Sequence, residues 1–384
     1  MSEKTENDKS LDADLDKYYE GPNNEIMREM KDLMSGNRLK FLIGAGCSFD
    51  AGLPLMKDLT DEIVEKLKGN ETMDLILQVF EGESPCSNSI ERYMSAIVGY
   101  QSIIDKMKLS RVKDPSIIIH DDKKVTAEVL DNLLDNIKQE IFNIIEKRKV
   151  KICHHTKFIK GIHKHLFAGK KKKTVDYFVL NYDTLIEDAL GLEKIRYQDG
   201  FEGSATGWWD PKLLKEQSDY SRVFKIHGSI DWCLLGEEDW TPKRIRGQID
   251  TKKQSPVLIY PASTKYQEIQ RNPFDTLITS MRNTLSESKQ TVLVICGYSF
   301  NDLHINTVVE EAINVSEGKL TVMAFINDDE PTGQLKKWRN SPISDQVKVY
   351  ANNGVFHGEG DGKGKGPFEW GKFETLSRLI GDEG

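Results

Sequence analysis

The chain has 384 residues, of which 38% are hydrophobic and 30% are charged, and its formal net charge is -8 at pH 7. This length suits one large domain with an insertion, or two domains, and the composition is that of a folded protein and not of a disordered chain. The negative charge disfavours general binding to nucleic acid, and no apolar stretch reaches the roughly 18 residues of a membrane span.

The N-terminal segment and the cysteines limit the class of protein further. Residues 1–22 are polar and end in Gly21-Pro22, which predicts a mobile tail, and they lack the basic and apolar parts of a signal peptide. We therefore expect a cytoplasmic protein without a membrane partner. The five cysteines are widely spaced and form no C-x-x-C pair, which argues against a disulfide framework and against a four-cysteine zinc module. The only histidine cluster lacks the i,i+4 spacing of a helical zinc site, so we expect no metal; its members are His154, His155, His163 and His165.

A strand, a glycine turn and a helix follow the tail and a short helix at 24–34. The apolar segment 38–43 runs into Gly44-Ala45-Gly46, and Pro54 opens a helix whose apolar residues recur at 3.6-residue spacing. Small residues after a strand let the backbone approach a pyrophosphate that is held at a helix N-terminus. An ordinary turn between a strand and a helix explains the two glycines about as well.

Residues 71–168, approximately, are predicted to be a helical insertion. Apolar residues from Leu130 to Ile145 recur on one helical face. This apolar stripe is longer than a surface helix of a monomer needs, so we expect it to be buried by another subunit or against the core. We accordingly predict a homo-oligomer.

Strands and helices alternate after the insertion. Apolar strands are predicted at 175–180, 223–226, 257–260, 291–297 and 320–326, with helices at 184–190, 273–287, 302–315 and 333–339. A glycine-rich loop at 353–366 and an amphipathic helix at 368–380 complete the chain. Near-continuous apolar strands that alternate with helices indicate a parallel sheet covered on both faces. The predicted fold is α/β, a doubly wound, Rossmann-like sheet in one domain at 23–384, with the helical insertion and no zinc module.

Four groups of residues lie at predicted strand ends, where an open α/β sheet binds its ligands. In chain order they are GAGCSFDAGLP (Gly44 to Pro54), LNYD (Leu180 to Asp183), KIHGS (Lys225 to Ser229), and GYS (Gly297 to Ser299) followed by Ile326-Asn327. Together they resemble the NAD-binding signatures of the sirtuin superfamily. The resemblance implies that Gly44, Ala45, Gly46 and Ser48 form the phosphate-binding turn. It implies a catalytic role for Asn181, Asp183 and His227, and NAD contacts for Gly297, Ser299 and Asn327.

Two departures from the sirtuin pattern separate this chain from the deacetylases. Leu55-Met56-Lys57 replaces the D-F-R of the family, and the paired cysteines of the zinc module are missing. The chain is more similar to the bacterial sirtuin-like proteins of antiviral defence, which degrade NAD⁺. That resemblance implies an NAD⁺ glycohydrolase, with NAD⁺ as substrate, that works as a stand-alone subunit beside a HerA-like ATPase.

The residues suit cleavage of the nicotinamide–ribose bond. Nicotinamide leaves as a neutral molecule, so no general acid has to protonate it, and a neutral His227 can activate a ribose hydroxyl or water. Asn181 can position the water or the carboxamide, and Asp183 can supply negative charge. Asn181 and Asp183 are also suited to cap the following helix, and Asp302 to cap a later one or to contact a ribose. The alternatives are a non-catalytic scaffold that senses NAD⁺ or ADP-ribose, and a DNA-processing subunit of a defence complex.

Overall fold

The computed structural model describes residues 15–36, 38–81, 89–120, 122–167, 174–215, 219–235, 241–247, 254–258, 273–287, 289–358, 360 and 362–381. Its strands are β1 (Arg38–Ile43), β2 (Ile117–Ile118), β3 (Lys124–Val125), β4 (Asp176–Val179), β5 (Tyr197–Gln198), β6 (Phe201–Gly203), β7 (Thr206–Trp209), β8 (Ser221–Lys225), β9 (Gly228–Leu235), β10 (Lys243–Ile245), β11 (Gln254–Leu258), β12 (Thr291–Cys296), β13 (Leu320–Phe325), β14 (Val347–Ala351) and β15 (Gly354–His357). Its helices are α1 (Asn23–Gly36), α2 (Gly46–Phe49), α3 (Met56–Lys66), α4 (Glu71–Val79), α5 (Ile90–Leu109), α6 (Ala127–Lys147), α7 (Cys153–Phe167), α8 (Leu185–Leu192), α9 (Lys212–Lys215), α10 (Phe274–Leu285), α11 (Leu303–Val315), α12 (Gly333–Arg339) and α13 (Phe373–Gly381).

An eight-stranded sheet with the order β15-β14-β13-β12-β1-β4-β8-β5 lies at the centre. Every neighbouring pair in it is parallel except β14 with β15. Strands β4 and β12 are buried along their whole length, as apolar strands of a doubly covered sheet should be. The chain first builds outward from β1 through β4 and β8, then returns to β12 on the other side of β1. The strand order therefore reverses between β1 and β12, which is where such a sheet opens a ligand crevice. The predicted doubly wound sheet is confirmed.

Helices cover both faces of this sheet. Helices α1, α7, α8 and α13 pack on one face, and α10, α11 and α12 pack on the other. The segment predicted to be a mobile tail contributes to the first face, because Tyr18 is fully buried and its ring lies 4.6 Å from Trp370 and 5.4 Å from Phe368. The prediction of a tail up to residue 22 is thus wrong for its last residues: an aromatic side chain there fills a gap in the core. Residues 1–14 lie outside the described part of the chain.

A second, antiparallel sheet with the order β11-β9-β10-β7-β6 was not predicted. Strand β9 begins three residues after β8 ends, so the chain passes directly from the central sheet into this one. The strand predicted at 257–260 was expected in the parallel sheet. Strand β11 instead ends at Leu258 and pairs antiparallel with β9, and residues 259–260 lie outside the described residues.

The helical insertion has a hydrophobic core of its own, formed by α3, α4, α5 and α6. The predicted stripe lies on α6 and is buried inside the chain: Leu130 and Ile137 are 0% exposed and Ile141 is 1% exposed. Of the two expectations for this stripe, burial against the core is what the structure shows, so the stripe gives no support to an oligomer.

The predicted limits of the insertion, about 71 and 168, both shift. Helix α3 belongs to its core because Leu59 and Ile63 point into it. Helix α7 packs instead against α13 and the central sheet. The insertion also contains a short antiparallel hairpin of β2 and β3, which was not predicted.

The C-terminal region also departs from its prediction: strand β14 was not predicted, and the last helix, predicted at 368–380, begins at Phe373. Strand β15 occupies part of the segment that was predicted to be a glycine-rich loop, and pairs with β14. No helix among the described residues is long and apolar enough to cross a membrane.

Candidate active site

The loops that follow β1 and β12 meet at the point where the strand order reverses. The Gly44 N–H donates to the Cys296 carbonyl at 3.0 Å, and the Gly46 N–H donates to the Gly297 carbonyl at 2.9 Å. A Cβ at Gly46 would lie 2.8 Å from Gly297 Cα, and one at Gly44 would overlap the Gly297 carbonyl. Gly297 itself has φ +64, which favours glycine. The three glycines therefore allow two backbone segments to touch at the crevice.

The turn after β1 leaves one backbone donor open. The N–H groups of Cys47 and Ser48 are used inside the turn, by the carbonyls of Gly44 and Ala45. Ala45 is exposed, and no acceptor among the described residues receives its N–H. A backbone N–H that the turn itself does not use, at the switch point, suits one oxygen of a pyrophosphate.

A buried hydrogen-bond network connects this turn with the loop after β4. Asn181 Nδ2 donates to the Gly44 carbonyl at 3.0 Å and to Ser48 Oγ at 2.7 Å. Ser48 Oγ in turn donates to Asp183 Oδ2 at 2.7 Å. All three side chains are at most 8% exposed. Since the amide nitrogen faces two acceptors, the orientation of the Asn181 carboxamide is determined, and no described residue donates to its Oδ1.

Asp183 has a second role, which the sequence also predicted. Its Oδ1 accepts the Leu185 N–H at 3.1 Å, so it satisfies a free donor at the start of α8. Its backbone carbonyl accepts a hydrogen bond from Lys225 Nζ, and the same ammonium lies 3.4 Å from Glu187 Oε1. Burial, opposed by Lys225, raises the pKa of Glu187 to about 7.

His227 lies in the turn between the two sheets, directly after the strand that pairs with β4. The Ile226 N–H donates to the Val179 carbonyl at 2.9 Å, so the parallel pairing of β4 and β8 continues to their ends and places His227 beside Asn181. Its Nε2 is 3.3 Å from Asp302 Oδ2, and the two side chains are 6% and 7% exposed. Gly228, with φ +88, allows the sharp turn into β9.

Asp302 is held in place from two directions. Its Oδ1 caps α11 by accepting the N–H groups of His304 at 2.9 Å and Ile305 at 3.3 Å, as the sequence predicted. The Tyr298 hydroxyl donates to its backbone carbonyl at 3.0 Å. The contact with His227 was missed, because nothing in the sequence relates residues 75 positions apart. An acidic cap immediately after the GYS segment was the only available signal.

Ser299 and Asn327 lie apart from the network. Both are exposed, Ser299 in the loop after β12 and Asn327 after β13, and no contact among the described residues joins them to Asn181, Asp183 or His227. Gly371 approaches Asn327 so closely that a Cβ there would lie 2.6 Å from Asn327 Oδ1. Both residues remain predicted NAD contacts at the carboxyl ends of their strands.

Two of the clustered histidines are core residues. His155 and His163 are 1% and 2% exposed, and burial lowers the pKa of each to about 4. The side chain of His165 lies outside the described residues. Within the described part of the chain, no group of three or more His, Cys, Asp or Glu side chains is arranged to hold a metal ion.

The strand ends, the glycine contacts and the paired His227 and Asp302 can now be compared with known families. Residues 176–344 match the family model of the SIR2-like domain. SIR2-like domains bind NAD and are typically NAD-dependent enzymes. No curated protein matches the chain.

The SIR2-like segment contains most of the predicted site but not all of it. It runs from β4 to the turn before β14 and includes Asn181, Asp183, His227 and Gly297. The glycine turn at 44–48 lies before it. The hydrogen bonds from Asn181 to Gly44 and Ser48 join that turn to the SIR2-like segment, so one site is built from both parts of the chain.

Proposed function

We propose that this protein is an NAD⁺ glycohydrolase that cleaves the nicotinamide–ribose bond and releases nicotinamide and ADP-ribose. The observation that carries the proposal is that two buried side-chain groups follow the ends of neighbouring parallel strands: the Asn181–Ser48–Asp183 network after β4, and the pair of His227, after β8, with Asp302. Both groups lie at the carboxyl ends of parallel strands in a SIR2-like fold. A site of this kind suits a dinucleotide whose pyrophosphate rests on the glycine turn.

The described residues are chemically suited to NAD⁺. The Ala45 N–H, which no acceptor among the described residues receives, supplies a donor for a phosphate oxygen, and the glycines at 44 and 46 have no side chains that would block it. Asn181 Oδ1 receives no donor from the described residues, so it can accept from a water or from the nicotinamide amide. Asp183 places negative charge beside this point.

The proposed reaction breaks the bond between ribose C1′ and the nicotinamide nitrogen. The electron pair of that bond returns to the ring nitrogen, which loses its positive charge, so nicotinamide leaves without being protonated. A water oxygen bonds to C1′, and the proton of that water passes to His227 and then to solvent. The Asp302 carboxylate stabilises the imidazolium that forms and orients the ring. The products are nicotinamide, ADP-ribose and one proton.

The wider role is proposed on the sirtuin-like resemblance. We propose a cytoplasmic NADase of antiphage defence that depletes NAD⁺, forms a homo-oligomer and acts with a HerA-like ATPase. Light scattering of the purified chain, alone and mixed with such an ATPase, tests the assembly. A single-chain mass under both conditions would contradict it.

A binding-only scaffold that senses NAD⁺ or ADP-ribose is the second candidate. Asn181 Nδ2 and both carboxylate oxygens of Asp183 already have hydrogen-bond partners inside the protein, as they would in a site that only holds its ligand. This candidate predicts NAD⁺ binding without release of nicotinamide.

One experiment tests the hydrolase and separates the two candidates. Purified protein is incubated with NAD⁺, with and without the ATPase, and nicotinamide and ADP-ribose are quantified while NAD⁺ binding is measured by calorimetry. We expect equal amounts of both products, and we expect His227→Ala and Asn181→Ala to abolish their release with the fold intact. His120→Ala, a change at an exposed histidine, is the matched control. Binding without products in the wild-type protein, or wild-type turnover in His227→Ala, would contradict the hydrolase.

A further inference from the structure

A lysine is buried at the end of β8, two residues before His227. Lys225 is 1% exposed, and among the described residues it forms an ion pair with Glu187, which is 3% exposed. Val223, on the same side of β8, packs in the core that includes α8. The side chain of Lys225 therefore points toward the first turn of α8 and not toward solvent.

Burying an ammonium group and a carboxylate together is costly, and an apolar pair of similar volume often serves the fold as well or better. The pair is also incompletely satisfied, because Glu187 Oε2 has no hydrogen-bond partner among the described residues. The charged groups that surround Glu187 come from several elements: Lys225 on β8, Asp231 on β9, and Arg246 after β10. Packing alone does not account for a lysine here.

The ammonium of Lys225 contacts one further group, the backbone carbonyl of Asp183. That carbonyl belongs to the loop whose side chains bind Ser48. The loop also has the bond from Leu185 N–H to Asp183 Oδ1, the bonds from Ile230 N–H and Ser229 Oγ to the Tyr182 carbonyl, and the bond from Asn181 Nδ2 to the Gly44 carbonyl. An ammonium has three donors, so Lys225 can bind the carbonyl and the carboxylate at once. A methionine in its place could bind neither.

We propose that Lys225 is a positioning residue for the NAD⁺-cleaving site, holding the Asp183 carbonyl and thereby the orientation of the Asn181 and Asp183 side chains, with Glu187 as its counter-ion. The expected effect of Lys225 on the rate of NAD⁺ cleavage rests on the proposed function. The expected effect of Lys225 on the order of the loop at Asp183 does not depend on that function. A displacement of about 1 Å at a catalytic group can lower the rate on the order of 10²-fold.

The test compares two variants that differ only at the lysine. Glu187→Gln keeps the lysine and its bond to Asp183, and E187Q/K225M removes that bond without leaving a buried uncompensated charge. We expect kcat for NAD⁺ hydrolysis to fall on the order of 10²-fold in E187Q/K225M relative to E187Q, with KM changed less than about threefold, because the glycine turn that holds the pyrophosphate is unaltered. R244M/D199N removes another buried ion pair, in the second sheet, and should lower the melting temperature without lowering kcat.

Hydrogen exchange gives a readout that does not depend on activity. The Leu185 amide should exchange faster in E187Q/K225M than in E187Q, whereas the Ile305 amide, capped by Asp302, should not change. If E187Q/K225M does not fold, E187Q/K225Q is measured with the same expectations, because the shorter glutamine falls short of the Asp183 carbonyl. Wild-type kcat, or a lower kcat with unchanged exchange at Leu185, would overturn the proposal. A wild-type protein without any hydrolysis would contradict the proposed function alone, and the exchange comparison would still decide the role of Lys225.

Discussion

Replacing Asp302 with asparagine isolates the contact between this residue and His227. Asparagine keeps Oδ1, which caps α11 through the N–H groups of His304 and Ile305, so we expect a loss of stability below about 1 kcal/mol. It replaces Oδ2, which lies 3.3 Å from His227 Nε2, with a neutral NH₂ group. The substitution therefore removes the negative charge that lies beside His227 while leaving the helix cap in place.

The size of the effect follows from the distance and the burial of the pair. Two unit charges 3.3 Å apart attract by about 5 kcal/mol at an effective dielectric constant of 20, which gives the order of magnitude of what the carboxylate contributes to an imidazolium. General-base catalysis is typically worth roughly 10²- to 10⁴-fold, or about 3–5 kcal/mol. We accordingly expect kcat of Asp302→Asn to fall about 10²- to 10⁴-fold, with a small change in KM.

The assay is the rate of nicotinamide release over a range of NAD⁺ concentrations, combined with thermal unfolding of each variant. Asn70→Ala is the matched control, since it removes the side-chain cap of α4 and leaves Asp302 and His227 unaltered. It should cost about 1 kcal/mol of stability and leave kcat unchanged. An Asp302→Asn variant that is folded and has wild-type kcat would refute the idea that the carboxylate acts through His227.

Two further substitutions test the core and the C-terminal segment. Burial lowers the pKa of His155 to about 4, so as the pH falls the unfolded chain is protonated first, and the stability present above pH 6.5 is lost toward pH 4. Between pH 7 and 4, the free energy of unfolding of His155→Phe, measured in urea, should fall by about 3 kcal/mol less than that of the wild-type protein. An equal fall in both proteins would contradict this. Gly371→Ala should lower the melting temperature, because its Cβ would overlap the backbone of Ile326 and Asn327, and should raise KM for NAD⁺ roughly 3- to 10-fold, or about 1 kcal/mol, because Asn327 must shift. Gly191→Ala, where a Cβ meets open space, should leave both unchanged.

The central sheet could be predicted from the sequence because its strands are apolar throughout and are separated by amphipathic helices. Helix α12 was predicted with the residue limits that the structure shows, and Asp302 was recognised as a cap from its position before a helix. These features depend on residues that are close in the chain. A strand that is buried on both faces is a continuous run of apolar residues, so it can be recognised in the sequence without knowing which strands pair with it.

The second sheet could not be recognised in the same way. Strand β6 has three residues, β10 has three and β7 has four, too few for an alternating pattern to stand out, and their pairing depends on a chain reversal after β8. The site shows the same limit: the side chains of Ser48 and Asn181 meet across 133 positions. Motifs predicted candidate residues for the site, whereas the hydrogen bonds among them, and the one from Lys225 to Asp183, are seen only in the folded chain.

Tyr182 shows why the helical insertion and the site should be considered together. The residues on either side of it, Asn181 and Asp183, both bind Ser48, whereas the Tyr182 ring is 8% exposed and packs in the core of the insertion. Its carbonyl also accepts the N–H of Ile230 on β9. A three-residue loop therefore has its polar side chains in the crevice and its aromatic side chain in the insertion, so a movement of α3 to α6 that displaces this ring must also move the two side chains that the proposed chemistry uses. The insertion is for this reason the part of the chain through which a partner could change the site without entering it.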